Sequence, residues 1–301
     1  MTLPDLARLV LLAALWGGSF LFMRVAVPEL GPIWLIVMRV GVAALFLLLV
    51  AAALRRALPW RGNVRALLVL GLINTTLPFL LYAYAAQQLE ASLLAIINAT
   101  SPLFGVLIGW LAFGQRPTLR IALGLTLGLL GVATLVGTTA FGDGLLLPVL
   151  AATAAPFCYA VASHYTRRSV SALTPFANAC GSMVTATLML LPLLFLAPPL
   201  PAAGTPLPWP ALTAAIALGL LCTGIAYLLY FRLIADVGAV SALSVTYLIP
   251  VFGIGWGMLF LGETIDTSTW LGLATILAGV ALVTGLVDRL LPRRASPEAA
   301  P

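Results

Sequence analysis

Apolar residues in this chain gather into long runs, and polar residues fall mostly into the short gaps between them. Ten runs can be marked, at about 6–27, 33–54, 66–87, 92–113, 118–137, 144–166, 173–196, 211–233, 239–261 and 268–287. A helix needs roughly 20 apolar residues to cross a bilayer, and each run is about that long. In lipid every backbone polar group needs an internal partner, so such runs must be helical. The pattern therefore predicts an all-α integral membrane protein with ten transmembrane helices. Two segments lie outside it. The stretch APPLPAAGTPLPWP, residues 197–210, reads as a proline-rich external loop, and residues 292–301 read as a disordered cytoplasmic tail. The first run lacks a small-residue cleavage site and carries Trp16 and Arg24, which predicts a retained span rather than a signal peptide.

Charge gives the runs an orientation. Arg8, Arg55, Arg56, Arg61, Arg65, Arg116, Arg120, Arg167, Arg168, Arg232, Arg289, Arg293 and Arg294 lie at or beyond one set of run ends. The alternate set of loops holds Glu29, Glu90, Asp143, Glu263 and Asp266 and no arginine. By the positive-inside rule both termini are cytoplasmic, in a bacterial-type inner membrane. Composition agrees: 62% of the 301 residues are hydrophobic and 8% charged, where soluble domains carry about 25% charged residues. The net charge of +6 sits in these short loops, so it argues for the bilayer as partner and against nucleic acid. Cys158, Cys180 and Cys222 are odd in number and lack CxxC spacing. Neither a disulfide framework nor a metal site is expected, and no cofactor is implied.

The chain also repeats itself. Offset by 148 residues, 71–137 aligns without a gap on 219–285, with about 21 identities in 67 positions. Tyr82 meets Tyr230, Pro102 meets Pro250, and Gly105 and Gly109 meet Gly253 and Gly257. A weaker offset of 143 pairs Arg24 with Arg167 and Pro32 with Pro175. Residues 1–142 and 143–291 thus read as two five-helix repeats. Five is odd, so the second repeat is inverted, an arrangement that secondary transporters use with the substrate near the midplane.

The repeat accounts for two stretches rich in helix breakers, NATSPLFGVLIGWLAFGQ and TYLIPVFGIGWGMLFLGE. Gly105/Gly109 and Gly253/Gly257 have the spacing that lets helices approach closely in lipid. Pro102 and Pro250 each remove a bond to the carbonyl four residues earlier, that of Asn98 or Thr246. A freed carbonyl at membrane depth needs a neighbour, a water or a substrate. These six residues are expected to form a hinge or gate, with the two halves rocking; a packing kink is the simpler alternative.

Four segments resemble the drug/metabolite transporter superfamily, in particular EamA-type ten-helix exporters: LLAALWGGSFLFMRVAV, MRVGVAALFLL, SALSVTYLIPVFGIGWGMLFLGE and LGLATILAGVALVTG. The resemblance implies a central cavity lined by runs 1, 3, 4, 6, 8 and 9, and export of amino acids or related metabolites. One departure is visible: the helix-end Gly-Glu is present at Gly262–Glu263, whereas the first repeat has Gly114–Gln115.

Candidate site residues follow from polarity within the runs. Arg39 lies inside the second run, and a charge at such depth is a functional hypothesis by default. It either bonds carbonyls of a neighbouring helix or attracts a substrate carboxylate. Arg24, nearer the external end, is read as an interfacial anchor or a partner of Glu29. Trp16, Ser19, Asn74, Tyr82, Asn98, Tyr159, Tyr227, Tyr230 and Thr246 fall on the candidate cavity helices and are the expected substrate-binding set with Arg39. Such an aromatic, nearly uncharged lining suits amphipathic solutes such as larger amino acids. His164, the single histidine, is a candidate for proton coupling or else a hydrogen-bonded or interfacial ring. No Asp or Glu lies deep in a run, which favours facilitated diffusion or exchange by alternating access. A proton-coupled multidrug or other metabolite exporter is the alternative among transporters. An enzyme would need a nucleophile–base pair or metal ligands, and a channel would not show saturable counterflow. A monomer or weak homodimer is expected.

Overall fold

The computed structural model describes residues 2–139, 144–169, 173–198, 208–242 and 244–285. The tail 292–301, most of the loop 197–210 and the repeat boundary at 142/143 lie outside the described residues. Among the described residues the chain is helical, with no strand. The helices are α1 (Leu3–Ala53), α2 (Val64–Ala85), α3 (Ala91–Phe113), α4 (Leu119–Thr139), α5 (Leu146–Ser169), α6 (Pro175–Leu196), α7 (Trp209–Val237), α8 (Val245–Leu261) and α9 (Thr267–Thr284). Among the described residues, seven of these, α1 to α3, α5 to α7 and α9, are long and apolar enough to cross a membrane. The apolar parts of α4 and α8 are shorter, Leu119–Leu135 and Val245–Leu261.

The first two runs share α1. Its 51 residues would be far longer than a bilayer if straight, at about 1.5 Å per residue. The chain turns at Gly31, whose φ of 70° and ψ of 165° are non-helical and fall in a region essentially reserved for glycine. Pro28 and Pro32 flank it, and their missing N–H groups further weaken helical continuity. The other helices are broken at characteristic places. α2 and α7 each contain a wider π-helical turn, Gly71–Thr76 and Leu220–Ile225, one residue apart under the 148 offset. α3 is interrupted at Ala99 and Thr100, so Pro102 enters at the start of the second piece, Ser101–Phe113. Pro250 differs, because it lies inside the continuous helix α8.

Packing runs between the repeats more than within them. A methyl on Gly124 would meet Gly279 O at 2.8 Å, and one on Gly131 would meet Gly272 O at 2.9 Å. Gly124 and Gly131 are the repeat counterparts of Gly272 and Gly279, so α4 and α9 cross with partners exchanged, as a two-fold relation requires. The same exchange appears at Gly71, packed on Thr185, and Gly219, packed on Val42; the 143 offset relates Val42 to Thr185. α1 touches α8 through Gly17, whose added methyl would lie 2.8 Å from Gly253 N. Interlocked in this way, the two sequence halves share the glycine contacts of α4 with α9 and of α1 with α8.

The ends are tied by polar contacts. Glu263, just past α8, accepts from the N–H groups of Ala91 (2.7 Å) and Ser92 (3.0 Å) and from the Ser92 hydroxyl. It thereby caps the N-terminus of α3, where backbone donors lack helical partners and the dipole favours an anion. Arg24 donates to the carbonyls of Ala86 (2.9 Å) and Gln87 (3.3 Å) at the end of α2, rather than pairing with Glu29. At the other end Arg8 pairs with Asp236 at 2.8 Å, and Arg232 with the same carboxylate at 2.9 Å.

Candidate functional site

Arg39 is the organising residue. It is 6% exposed, on the second arm of α1. Its Nε donates to Thr223 Oγ1 on α7 at 3.1 Å. Its guanidinium carbon lies 3.6 Å from the centre of the Phe79 ring on α2, a cation–π contact of up to about 2 kcal/mol when desolvated. The ionisable groups facing it are Tyr159, Cys222 and Tyr227, none of them a carboxylate. Among the described residues nothing bonds its two terminal nitrogens. A desolvated guanidinium with an open fork is suited to a bidentate carboxylate.

The aromatic rings of the cluster are paired in a symmetric way. Trp16 on α1 and Tyr230 on α7 have centroids 5.3 Å apart. Tyr159 on α5 and Tyr82 on α2 are 6.4 Å apart. The offsets relate Trp16 to Tyr159 and Tyr82 to Tyr230, so these are one aromatic pair occurring twice. Phe79 and Tyr227, both beside Arg39, are counterparts as well. The cation itself has no copy: the counterpart of Arg39 is Ser182, and that of Thr223 is Thr75, whose hydroxyl is buried without a partner. The cluster is therefore symmetric in its rings and asymmetric in its charge.

The other expected residues divide. Asn98 accepts a hydrogen bond from the Tyr82 hydroxyl at 3.0 Å, and Asn74 faces the Tyr227 hydroxyl. Ser19 faces the Cys222 thiol, with no aligned hydrogen bond for its buried hydroxyl. Trp16, Ser19, Arg39, Asn74, Tyr82, Asn98, Tyr159, Tyr227 and Tyr230 are thus linked by contacts between α1, α2, α3, α5 and α7. Thr246 is half-buried at the start of α8. The Asn98 carbonyl that Pro102 frees accepts from Ser101 Oγ at 3.0 Å, so a local hydroxyl satisfies it rather than a substrate.

The glycine pairs also divide. Gly253 packs against Ala95, and Gly257 against Ser92 and Glu263. Gly109 packs near Gln115 and His164, but nothing lies within 4 Å of a methyl built on Gly105. Close packing at Gly105 is therefore corrected; its carbonyl instead lies 2.9 Å from His164 Nε2. A carbonyl only accepts, so that nitrogen carries the proton. His164 also packs on Phe113 at 5.1 Å, which makes it a cross-link from α5 to α3. The three cysteines are free and buried. No cluster of metal-ligand residues occurs among the described residues. Sequence reasoning missed Thr223 and Phe79 as partners of Arg39; the identity of Thr75 and Thr223 within the repeat was the available signal.

The sequence pattern of the EamA-like transporter family matches residues 6–137 and 146–285. The chain belongs to this family. Proteins similar to this chain include a transporter of Bacillus subtilis, YvbV, 24% identical over 277 residues, covering 91% of this chain and 90% of that protein. A probable terminal-alkyne amino-acid exporter of Streptantibioticus cattleyicolor is 26% identical over 288 residues, covering 95% and 94%. The inner membrane transporter YedA of Escherichia coli is 27% identical over 290 residues, covering 94% and 91%. A solved crystal structure shares the fold, with a TM-score of 0.63 at 21% identity, covering 95% of this chain and 99% of that one. This EamA-family chain is accordingly a multi-pass membrane transporter.

Proposed function

We propose that this EamA-family protein exports amino acids or related small carboxylates across the inner membrane by alternating access, with the substrate carboxylate held by Arg39. The observation that carries the reading is the desolvated guanidinium, bonded among the described residues only through Nε, with Phe79, Tyr159 and Tyr227 beside it and the pairs Trp16–Tyr230 and Tyr82–Tyr159 extending the aromatic cluster. Aromatic walls favour the larger, amphipathic amino acids. The relative described as a probable terminal-alkyne amino-acid exporter is consistent with that class. Transport is by facilitated diffusion or exchange, since the groups facing Arg39 are uncharged at neutral pH.

The two arms of α1 together with α2 to α9 make ten crossings, as two inverted repeats in 1–142 and 143–291. Both termini are cytoplasmic. The reading is supported by the way the ends meet: Arg8 with Asp236, and Glu263 with Ala91, each join ends that the arginine pattern assigns to one side. Pro102, Pro250 and the glycines around them serve as hinge positions, and the protein acts as a monomer or weak homodimer.

The test is uptake of labelled phenylalanine and threonine into proteoliposomes, preloaded or empty, with and without a pH gradient. Preloading is expected to stimulate uptake, and the pH gradient to leave it unchanged. Arg39→Ala, recovered monodisperse, is expected to lose on the order of a hundredfold in flux, the scale of removing a buried charge contact. Wild-type flux in that variant would overturn the role of Arg39, and no flux of either amino acid in the wild type would overturn the cargo class.

A further inference from the structure

We infer that Thr223, set by the π-helical turn of α7, is a positioning residue that aims the Arg39 fork and so gives the site its selectivity for a carboxylate. The inference rests on the reading of Arg39 just given. A π-turn admits an extra residue into the helical register, and such turns recur at functional sites. In this turn the Thr223 hydroxyl donates to the carbonyl five residues back, Leu218 O, at 2.9 Å. Its one proton is then committed, so toward Arg39 it can only accept. The Nε–H of Arg39 donates to it at 3.1 Å. The chain of donors runs one way, from guanidinium to hydroxyl to backbone, and fixes the guanidinium about its Nε.

Two further contacts make that orientation rigid. Gly219, at the head of the turn, leaves no room for a methyl: one built there would be 2.7 Å from Arg39 O and 2.8 Å from Val42 Cβ. α7 is thus pressed against the backbone that carries Arg39. On the other side Phe79 closes the face of the guanidinium at 3.6 Å. With Nε engaged and one face covered, the two terminal nitrogens remain for ligand. A planar, oriented fork distinguishes a carboxylate, which takes two parallel bonds, from an amide, which cannot. The other repeat lacks the device. Its π-turn presents Thr75 unpaired, and Ser182 stands where the arginine would be. One carboxylate per protein follows.

Counterflow kinetics test this, with labelled phenylalanine as substrate and phenylalaninamide as competitor. Thr223→Val keeps the shape and removes the acceptor. It is expected to raise KM on the order of tenfold, the scale of a hydrogen bond to a charged group, with the maximal rate within about twofold. It is also expected to lower the preference for phenylalanine over the amide. Thr223→Ser keeps the hydroxyl and is expected to restore both. Phe79→Leu opens the other face and is expected to show the same change in KM and preference, which keeps the inference testable should Thr223→Val fail to fold. Unchanged KM and preference in Thr223→Val, or in Phe79→Leu should the first not fold, overturn the positioning role while Arg39→Ala remains inactive. Wild-type flux in Arg39→Ala overturns both this inference and the reading beneath it.

Discussion

A methyl group on Gly17 would lie 2.8 Å from Gly253 N and from Phe252 Cβ, and 2.9 Å from Ile249 O. Two of these neighbours are backbone atoms, which cannot step aside as a flexible side chain can. Gly17→Ala is therefore expected to destabilise the protein by about 1–3 kcal/mol, the usual range for overpacking. A lower thermal midpoint of the detergent-purified protein would show it. Gly255→Ala is the matched control. Nothing lies within 4 Å of a methyl there, and alanine favours a helix over glycine by about 1 kcal/mol. Its midpoint is expected to stay level or rise. Equal losses in the two variants would mean that the contact of α1 with α8 is not tight.

Apart from Arg39, the charges that make contacts lie near helix ends. Glu263 closes the start of α3 with both carboxylate oxygens, while Glu90 stands one residue before that start and beside it. Partial removal from water, and then the neighbouring Glu263 charge, push the Glu90 carboxyl above its ordinary value, against the opposing pull of Arg24. The folded state thus holds this proton more tightly than the unfolded chain. The charged form weakens the fold at neutral pH, and acidification from the raised value down through the ordinary carboxylate range relieves it. Glu90→Gln is expected to raise the thermal midpoint at about pH 7, with the gain vanishing near pH 4. A gain that does not change with pH would place its origin outside charge.

The two repeats hold one another by crossing helices rather than by a flat interface. A methyl on Gly279 would meet Gly124 O and Gly128 N, both at 2.6 Å, and one on Gly131 would meet Gly272 O and Ile276 N at 2.9 Å. Lipid gives helices no hydrophobic reason to associate, so such close backbone approach is itself the adhesive. Gly131→Ala and Gly279→Ala are both expected to lose about 1–3 kcal/mol, Gly279→Ala the more because its neighbours are nearer. Unfolding by a graded denaturing detergent would measure this, and a wild-type midpoint for Gly279→Ala would refute the closeness of the crossing.

The helical class, the apolar runs and the repeat were legible from the chain, and the sequence put Arg39 and the aromatic residues forward as candidates for one site. Apolar length is a property of neighbouring residues and self-similarity one of the residue string, so both survive without coordinates. The weak 143 offset even anticipates the counterpart rings Trp16 and Tyr159. Other features depended on partners far away in the chain. Residues 71–76 and 220–225 adopt π-turns, and the glycines at their heads, Gly71 and Gly219, seat on Thr185 and Val42, far away in the chain. The aim of Arg39 depends on Thr223, 184 residues away. Glu263 reads as a helix-end acid until α3 is brought beside it, and Gly105 reads as a packing glycine until its surroundings prove open. Hydrophobic pattern decides which segments enter the bilayer, but backbone contact distances between those segments decide which polar groups meet inside it.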